Sequence, residues 1–188
     1  RLPVLYLLHG ADGDDASWTG LGRAAQIIDN LIADGTMTPV VVVMPFGYAH
    51  PTTAGVAADR QREDFERDLV EDLIPFVQAQ YRVGTDRANR AIVGLSMGGG
   101  QALTIGLRRT DLFSRIAGFS AAVPRALDGS PLAALTTDAR KVNASVALLW
   151  IGCGTEDGLF APNKAFSDLL TARGVSHAFR ATDGAHTW

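Results

Sequence analysis

Residues Ala91–Gln101 read AIVGLSMGGGQ, a serine set between an apolar run and three consecutive glycines. Glycine is costly inside a helix and gives a strand nothing to pack, so stability does not explain the run. Gly94-Leu95-Ser96-Met97-Gly98 fits the pattern G-x-S-x-G, in which a serine occupies a strained strand-to-helix turn and holds its hydroxyl above a sheet. With 8 serines and 20 glycines in 188 residues, chance alone supplies about 0.09 such matches, so the pattern by itself is weak. Context strengthens it. AIV precedes the motif as an apolar strand, and QALTIGLRR follows with helical character. Glycines two residues either side of Ser96 admit backbone where a Cβ would collide, and Gly99 and Gly100 let the helix start tight against neighbouring strands. The competing reading, a glycine-rich turn capped by a serine, leaves that strand–turn–helix order unexplained.

Outward from the motif, the chain alternates short apolar runs with helical patterns. Val4–Leu8, Val40–Met44, Ala91–Val93, Phe113–Phe119 and Val146–Ile151 are continuous apolar runs, and His177–Phe179 begins a weaker sixth. Continuous rather than alternating hydrophobicity predicts strands covered on both faces, the mark of a parallel sheet. Leu21, Ala24, Ala25, Ile28, Leu31 and Ile32 share one face of a helix that Gly35 ends. Phe65, Leu69, Leu73, Phe76 and Val77 define a second, which Pro75 is expected to bend. A third spans Met97–Arg109 and a fourth runs from about Ala161 to Arg173. This order predicts a single α/β domain over residues 1–188, with a mainly parallel sheet and helices on both faces. The irregular stretches 45–60 and 121–137 are long for connections in a compact domain, and such loops often carry function.

Composition narrows the chemistry. The formal net charge is −3, and no run of Lys or Arg stands out. Neither nucleic acid nor an anionic membrane is therefore expected as a partner. No apolar stretch approaches the length needed to span a bilayer. The single cysteine, Cys153, excludes an intrachain disulfide framework and a thiolate zinc site. His9, His50, His177 and His186 lack metal-ligand spacing such as H-E-x-x-H, so neither metal nor cofactor is expected. The chain opens at Arg1 directly in an apolar run and closes at Trp188 without a helical tail, which reads as a piece excised from a longer protein.

A serine hydroxyl needs a base, and the base needs an orienting acid. Behind a G-x-S-x-G turn these follow in the order serine, acid, histidine, at the carboxyl ends of strands. Glu156 and Asp157 lie just beyond the strand that ends in VALLWIGCGT, whereas Asp111 leads into a strand and Asp128 sits in a loop without one. Asp157 is preferred, because its shorter arm suits a fixed turn that Gly158 follows; its neighbour is left as a cap or a solvated turn residue. His177 starts its strand, at the wrong end of the sheet, and is read as structural. His186 follows that strand and is the candidate base. The oxyanion of a tetrahedral intermediate needs donors. The backbone N–H of Met97 is one candidate and that of Ala11, in the loop after the first strand, the other. His9 precedes the nucleophile and is assigned to orienting that loop. Trp18, Tyr48 and Pro51 are candidates for lining an acyl pocket.

LYLLHGADG, VVVMPFGYAHP, RAIVGLSMGGGQAL, FSRIAGFSAA, IGCGTEDGLF and GAHTW occur in an order similar to that of the esterase family of α/β-hydrolases, especially its feruloyl esterase and acetylxylan esterase branch, carbohydrate esterase family 1. The resemblance spans nearly the whole chain, with GLSMGGGQAL the most specific piece. It implies an α/β-hydrolase fold trimmed at both ends, lacking strands before the first run and a helix after the histidine. It also implies Ser96 as nucleophile, Asp157 as acid, His186 as base, and Ala11 and Met97 as oxyanion amides. The implied reaction is release of feruloyl, other hydroxycinnamoyl or acetyl groups from plant cell-wall polysaccharide, in a secreted or periplasmic setting. The family also holds enterochelin-type esterases, thioester hydrolases and acyltransferases, which the triad alone does not separate. A binding module that has lost its chemistry is a further alternative, which an intact Ser96, Asp157 and His186 argue against.

Overall fold

A computed structural model describes residues 1–51 and 55–188. Six strands form one fully parallel sheet: β1 (Val4–Leu8), β2 (Val41–Val43), β3 (Arg90–Leu95), β4 (Arg115–Phe119), β5 (Leu148–Gly154) and β6 (Ala178–Thr182), in the order β2-β1-β3-β4-β5-β6. The chain steps from β1 outward to β2, crosses to β3, and then moves steadily the other way. Right-handed crossovers therefore place the first connection on one face and the other four on the opposite face. On the crowded face lie α3 (Ala58–Arg67) with α4 (Ile74–Gln80), α5 (Met97–Arg108), α6 (Pro131–Ala134) with α7 (Ala139–Ser145), and α8 (Phe160–Arg173). The first connection carries α1 (Ser17–Gly20) and α2 (Ala24–Ala33).

The helices thus cover both faces as expected, but unequally. Tyr6, Ile92, Ile116, Leu149 and Ile151 point to the crowded face and are buried in one core with Leu103, Phe113, Phe166 and Leu170. On the sparse face Phe119 and Leu148 stay 39% and 44% exposed. There Phe119 packs between Trp18 of α1 and Trp150 of β5, with ring centroids 6.0 and 4.8 Å away.

Several local expectations shift for identifiable reasons. Helix α2 begins at Ala24 rather than Leu21, and only Ala24 of its apolar stripe is buried; Leu21 and Leu31 face solvent. Gly35 ends it as expected: at φ +71° it lets its own N–H reach Ile32 O and the Thr36 N–H reach Leu31 O. Pro75 does not produce a simple bend. Residues Asp68–Leu73 form a π-helical turn between α3 and α4, in which the Ile74 N–H donates to Leu69 O, five residues back. The wider turn accommodates a proline whose ring would crowd a regular helix. Strand β5 starts at Leu148, not Val146, because the unforeseen α7 ends at Ser145 and its capping Val146 N–H donates to Val142 O. Within 121–137, α6 starts behind the Ser130 cap, whose hydroxyl accepts from the Ala133 N–H. Of the stretch 45–60, residues 52–54 lie outside the described residues.

The β1–β3 pairing matters most for chemistry. Leu8 lies opposite Gly94, so the loop after β1 and the turn after β3 leave the sheet side by side. This is where the direction of chain travel reverses, the place where open α/β sheets form their ligand sites.

Candidate active site

Ser96 occupies the turn between β3 and α5 with φ 57° and ψ −115°. A non-glycine residue there is strained, at a cost on the order of 1–3 kcal/mol, and persists only where its surroundings impose it. They do so here. The Ser96 N–H donates to Phe119 O at 2.9 Å, and its carbonyl accepts from the N–H groups of Ala122 at 2.8 Å and Gly100 at 3.0 Å. Both motif glycines are required by close approach. A Cβ on Gly94 would run into the Gly98 carbonyl, and one on Gly98 into the carbonyls of Leu8 and His9. Gly99 and Gly100 serve the tight start of α5 against residues 121–122: added Cβ atoms would lie 2.9 Å from Ala121 Cα and 2.7 Å from Ala122 O.

His186 and Asp157 reach Ser96 from the other side. The Thr155 N–H donates to Thr182 O at 2.8 Å and the Glu156 N–H to Gly184 O at 3.0 Å, lacing the loop after β5 to the loop after β6. His186 Nε2 lies 2.9 Å from Ser96 Oγ, and His186 Nδ1 lies 2.8 Å from Asp157 Oδ2. Because a carboxylate only accepts, Nδ1 carries the proton, and the Nε2 lone pair faces the serine hydroxyl. The Asp157 side chain is fully buried, whereas His186 is 42% exposed. Burial pushes the Asp157 carboxyl up, but hydrogen bonds from Ser120, the Leu159 N–H and His186 outweigh it and hold the group below the usual carboxylate range. Glu156 points to solvent. His177 sits at the opposite end of the sheet, bonded to Ser167 Oγ at 2.8 Å and Val175 O at 2.9 Å.

The loop after β1 completes the constellation. As the first residue of α5, Met97 has an N–H with no intrahelical partner, and the Ala11 N–H has no protein acceptor among the described residues. The Gly98 N–H donates to His9 O at 3.1 Å, joining this loop to the serine turn. Ala11, Gly10, Ser96, His186, Leu21 and Trp188 border a cavity of about 180 Å³. His9 is buried and acts as a brace: Nδ1 donates to Gly10 O at 2.7 Å, and Nε2 accepts the Gly47 N–H at 2.9 Å. Gln101 of α5 donates to Gly47 O at 2.9 Å, so this glycine is clamped from both sides. Sequence reasoning missed Gln101, a lone polar residue whose role depends on a partner far along the chain.

The three candidate pocket residues fall in different places. Tyr48 does not line the cavity but touches its rim: its hydroxyl accepts the N–H of the lining residue Asp12 at 3.3 Å, and its ring lies 5.4 Å from Phe46 and 5.9 Å from His9. Trp18 lies beside the cavity rather than in its lining. Its indole N–H donates to Leu8 O at 2.9 Å, and its ring meets Trp188 edge-on at 4.9 Å, two residues beyond His186. Pro51 is exposed and away from the cavity lining. Among the described residues, no cluster of His, Cys, Asp and Glu is arranged to hold a metal ion, and no helix is long and apolar enough to cross a membrane.

The chain and its fold are similar to known proteins. The family described as "Putative esterase" matches residues 1–188. An endo-1,4-beta-xylanase/feruloyl esterase of Xylanibacter ruminicola is 33% identical over 188 residues, covering 95% of this chain and 24% of that protein. An acetyl esterase of Caldicellulosiruptor saccharolyticus is 24% identical over 219 residues, covering all of this chain and 78% of that one. Among solved structures, a ferulic acid esterase superposes with a TM-score of 0.83 at 28% identity, covering 100% of this chain and 79% of the other. A ferulic acid esterase of Anaeromyces mucronatus in complex with ferulic acid shares the fold, with a TM-score of 0.81 at 23% identity over 100% of this chain and 74% of that one. The chain spans about a quarter of the length of the Xylanibacter protein. With its parallel sheet, its serine turn and a family match over its full length, this chain belongs to the esterase family of the α/β-hydrolase fold.

Proposed function

We propose that residues 1–188 act as one domain, a serine carboxylic-ester hydrolase that works through an acyl-enzyme on Ser96. The observation that carries this reading is the line of hydrogen bonds from Ser96 Oγ through His186 to the buried Asp157 carboxylate, at 2.9 and 2.8 Å. His186 Nε2 takes the Ser96 proton as Oγ attacks the ester carbonyl, and Asp157 stabilises the imidazolium that forms. The carbonyl oxygen becomes an oxyanion, held by the N–H groups of Ala11 and Met97; the latter opens α5, so the helix dipole adds positive potential there. His186 then gives its proton to the departing alcohol oxygen. Water, deprotonated by the same Nε2, attacks the acyl-enzyme and releases the acid.

For substrate, we assign a hydroxycinnamoyl ester, feruloyl in particular, or an acetyl ester of plant cell-wall polysaccharide. The names of the Xylanibacter and Caldicellulosiruptor relatives support this class. The aromatic acyl group is favoured by the Phe46–Tyr48 pair, which the His9–Gly47–Gln101 clamp holds beside the loop after β1. Tyr48 is therefore the proposed acyl contact, with Trp18 supporting the His186 loop through Trp188. Methyl ferulate is expected to give a higher kcat/KM than an alkyl ester of similar size. Equal values, or a preference for acetyl esters, would remove the aromatic part of the assignment and leave a general or acetyl esterase.

A further inference from the structure

The fourth residue of α8 is an asparagine, Asn163, and it is fully buried. Asparagine is a poor helix former, and a buried amide is costly without partners, so neither the helix nor the core accounts for it. Its contacts do. Nδ2 lies 2.8 Å from Ala121 O and 2.8 Å from Leu159 O. Both neighbours are carbonyls, which only accept, so the NH2 end of the amide faces them and gives one N–H to each.

Each of these carbonyls belongs to a peptide unit whose other end holds a residue of the reacting set. A peptide unit is planar and trans, so its C=O and N–H point in opposite directions, and fixing one aims the other. In the unit joining Ala121 to Ala122, the carbonyl accepts from Asn163 and the N–H donates to Ser96 O at 2.8 Å. In the unit joining Leu159 to Phe160, the carbonyl accepts from Asn163 and the N–H donates to Asp157 O at 2.9 Å. The Leu159 N–H donates in addition to Asp157 Oδ1 at 2.7 Å. One side chain thus ties the backbone of the nucleophile turn to that of the acid turn. Neither carbonyl needs the amide for its own satisfaction. Ala121 O also accepts the Val123 N–H at 2.7 Å, and Leu159 O also accepts the Asn163 backbone N–H at 3.1 Å.

We propose that Asn163 is a positioning residue: its amide sets the separation of the nucleophile and acid turns, and so the reach of His186 to Ser96. The proposal rests on the reading of Ser96, His186 and Asp157 as the reacting set. The loop that carries His186 is laced to the acid turn through the Thr155 and Glu156 N–H groups, so base and acid move as one body. Beyond the strand ends, the Asn163 amide joins that body to the turn that carries Ser96. The 2.9 Å between His186 Nε2 and Ser96 Oγ leaves little slack, because a hydrogen bond lengthened by about 1 Å is lost.

Asn163→Leu and Asn163→Ala test it together. Both remove the two donors and leave each carbonyl its backbone partner, but leucine fills the buried site and alanine leaves a cavity, so the leucine variant should have the higher Tm. At a temperature where circular dichroism shows both folded, each should lower kcat about 10–100-fold with KM nearly unchanged. The loss should be alike on methyl ferulate and on para-nitrophenyl acetate, since Asn163 touches neither acyl group. Labelling of Ser96 by a fluorophosphonate, which needs the Ser96–His186 contact but no ester, should slow by a similar factor. A merely structural Asn163 would leave kcat and the labelling rate of the folded variants at the wild-type level, or let them follow Tm; either result would overturn the proposal. So would failure of both variants to fold. A wild type that neither hydrolyses an ester nor takes the label would sink the esterase reading, and this proposal with it. A wild type that does both, beside variants that match it, would remove Asn163 alone.

Discussion

Ser96→Ala is expected to lower kcat by about 10⁴–10⁶ while leaving the fold intact. The magnitude follows from what the serine supplies. Without Oγ no acyl-enzyme forms, and His186 has nothing to deprotonate except water. Binding and the Ala11 and Met97 N–H groups remain, so a residual rate above the uncatalysed reaction is expected. The backbone of the turn does not depend on the hydroxyl, because the bonds that hold Ser96 run through its N–H and carbonyl to Phe119, Ala122 and Gly100. Tm should therefore stay close to that of the wild type. Near-normal turnover by the folded variant, measured on the same ester, would remove Ser96 from the reaction.

The second large effect separates two neighbouring acids. Asp157→Asn should cost roughly 10⁴ in kcat, the size of the effect known for the corresponding change in a serine protease. An amide in this place can donate to His186, which favours the tautomer with its proton on Nε2 and so blocks the serine proton from leaving. Glu156→Gln should change kcat only slightly, because Glu156 faces solvent and contributes to the site through its backbone N–H on Gly184 O. The same pair reports on stability. Since Asp157 is held below the usual carboxylate range in the fold, its contribution is complete above about pH 4 and is lost as the pH falls through its lower folded value. The Tm gap between wild type and Asp157→Asn should accordingly narrow on acidification. A crippled Glu156→Gln beside an active Asp157→Asn would reverse the assignment of the acid.

Much of this arrangement was legible in the sequence because it rests on local patterns. Continuous apolar runs such as VLYLL and VVVVM mark strands covered on both sides, and Gly94, Ser96 and Gly98 mark a turn that only close backbone approach explains. The ordering rule then separated His186 from His177, and the pairing of β5 with β6 put His186 beside Asp157. What escaped was whatever depends on tertiary context. The segment ARKVNAS carries too few apolar residues to announce a helix, so its pattern does not reveal α7, and the apolar run that follows starts two residues before β5 does. The apolar stripe on α2 suggests a buried helix, yet among the described residues only α1 and α2 lie on the sparse face of the sheet, and Leu21 and Leu31 are exposed. Gln101 carries no local signature at all. It acquires its role only when Gly47, from a distant loop, is brought against it.

The most direct test of the account is covalent. A fluorophosphonate phosphonylates an activated serine, with the proton leaving to the base and fluoride as the leaving group, so it reads the Ser96–His186 pair in one step. Incubation with the wild-type protein should add one label per chain, and peptide mass spectrometry should place it on Ser96. His186→Ala should label far more slowly and Ser96→Ala not at all. A label on another residue, or none on a protein that still hydrolyses esters, would contradict the account.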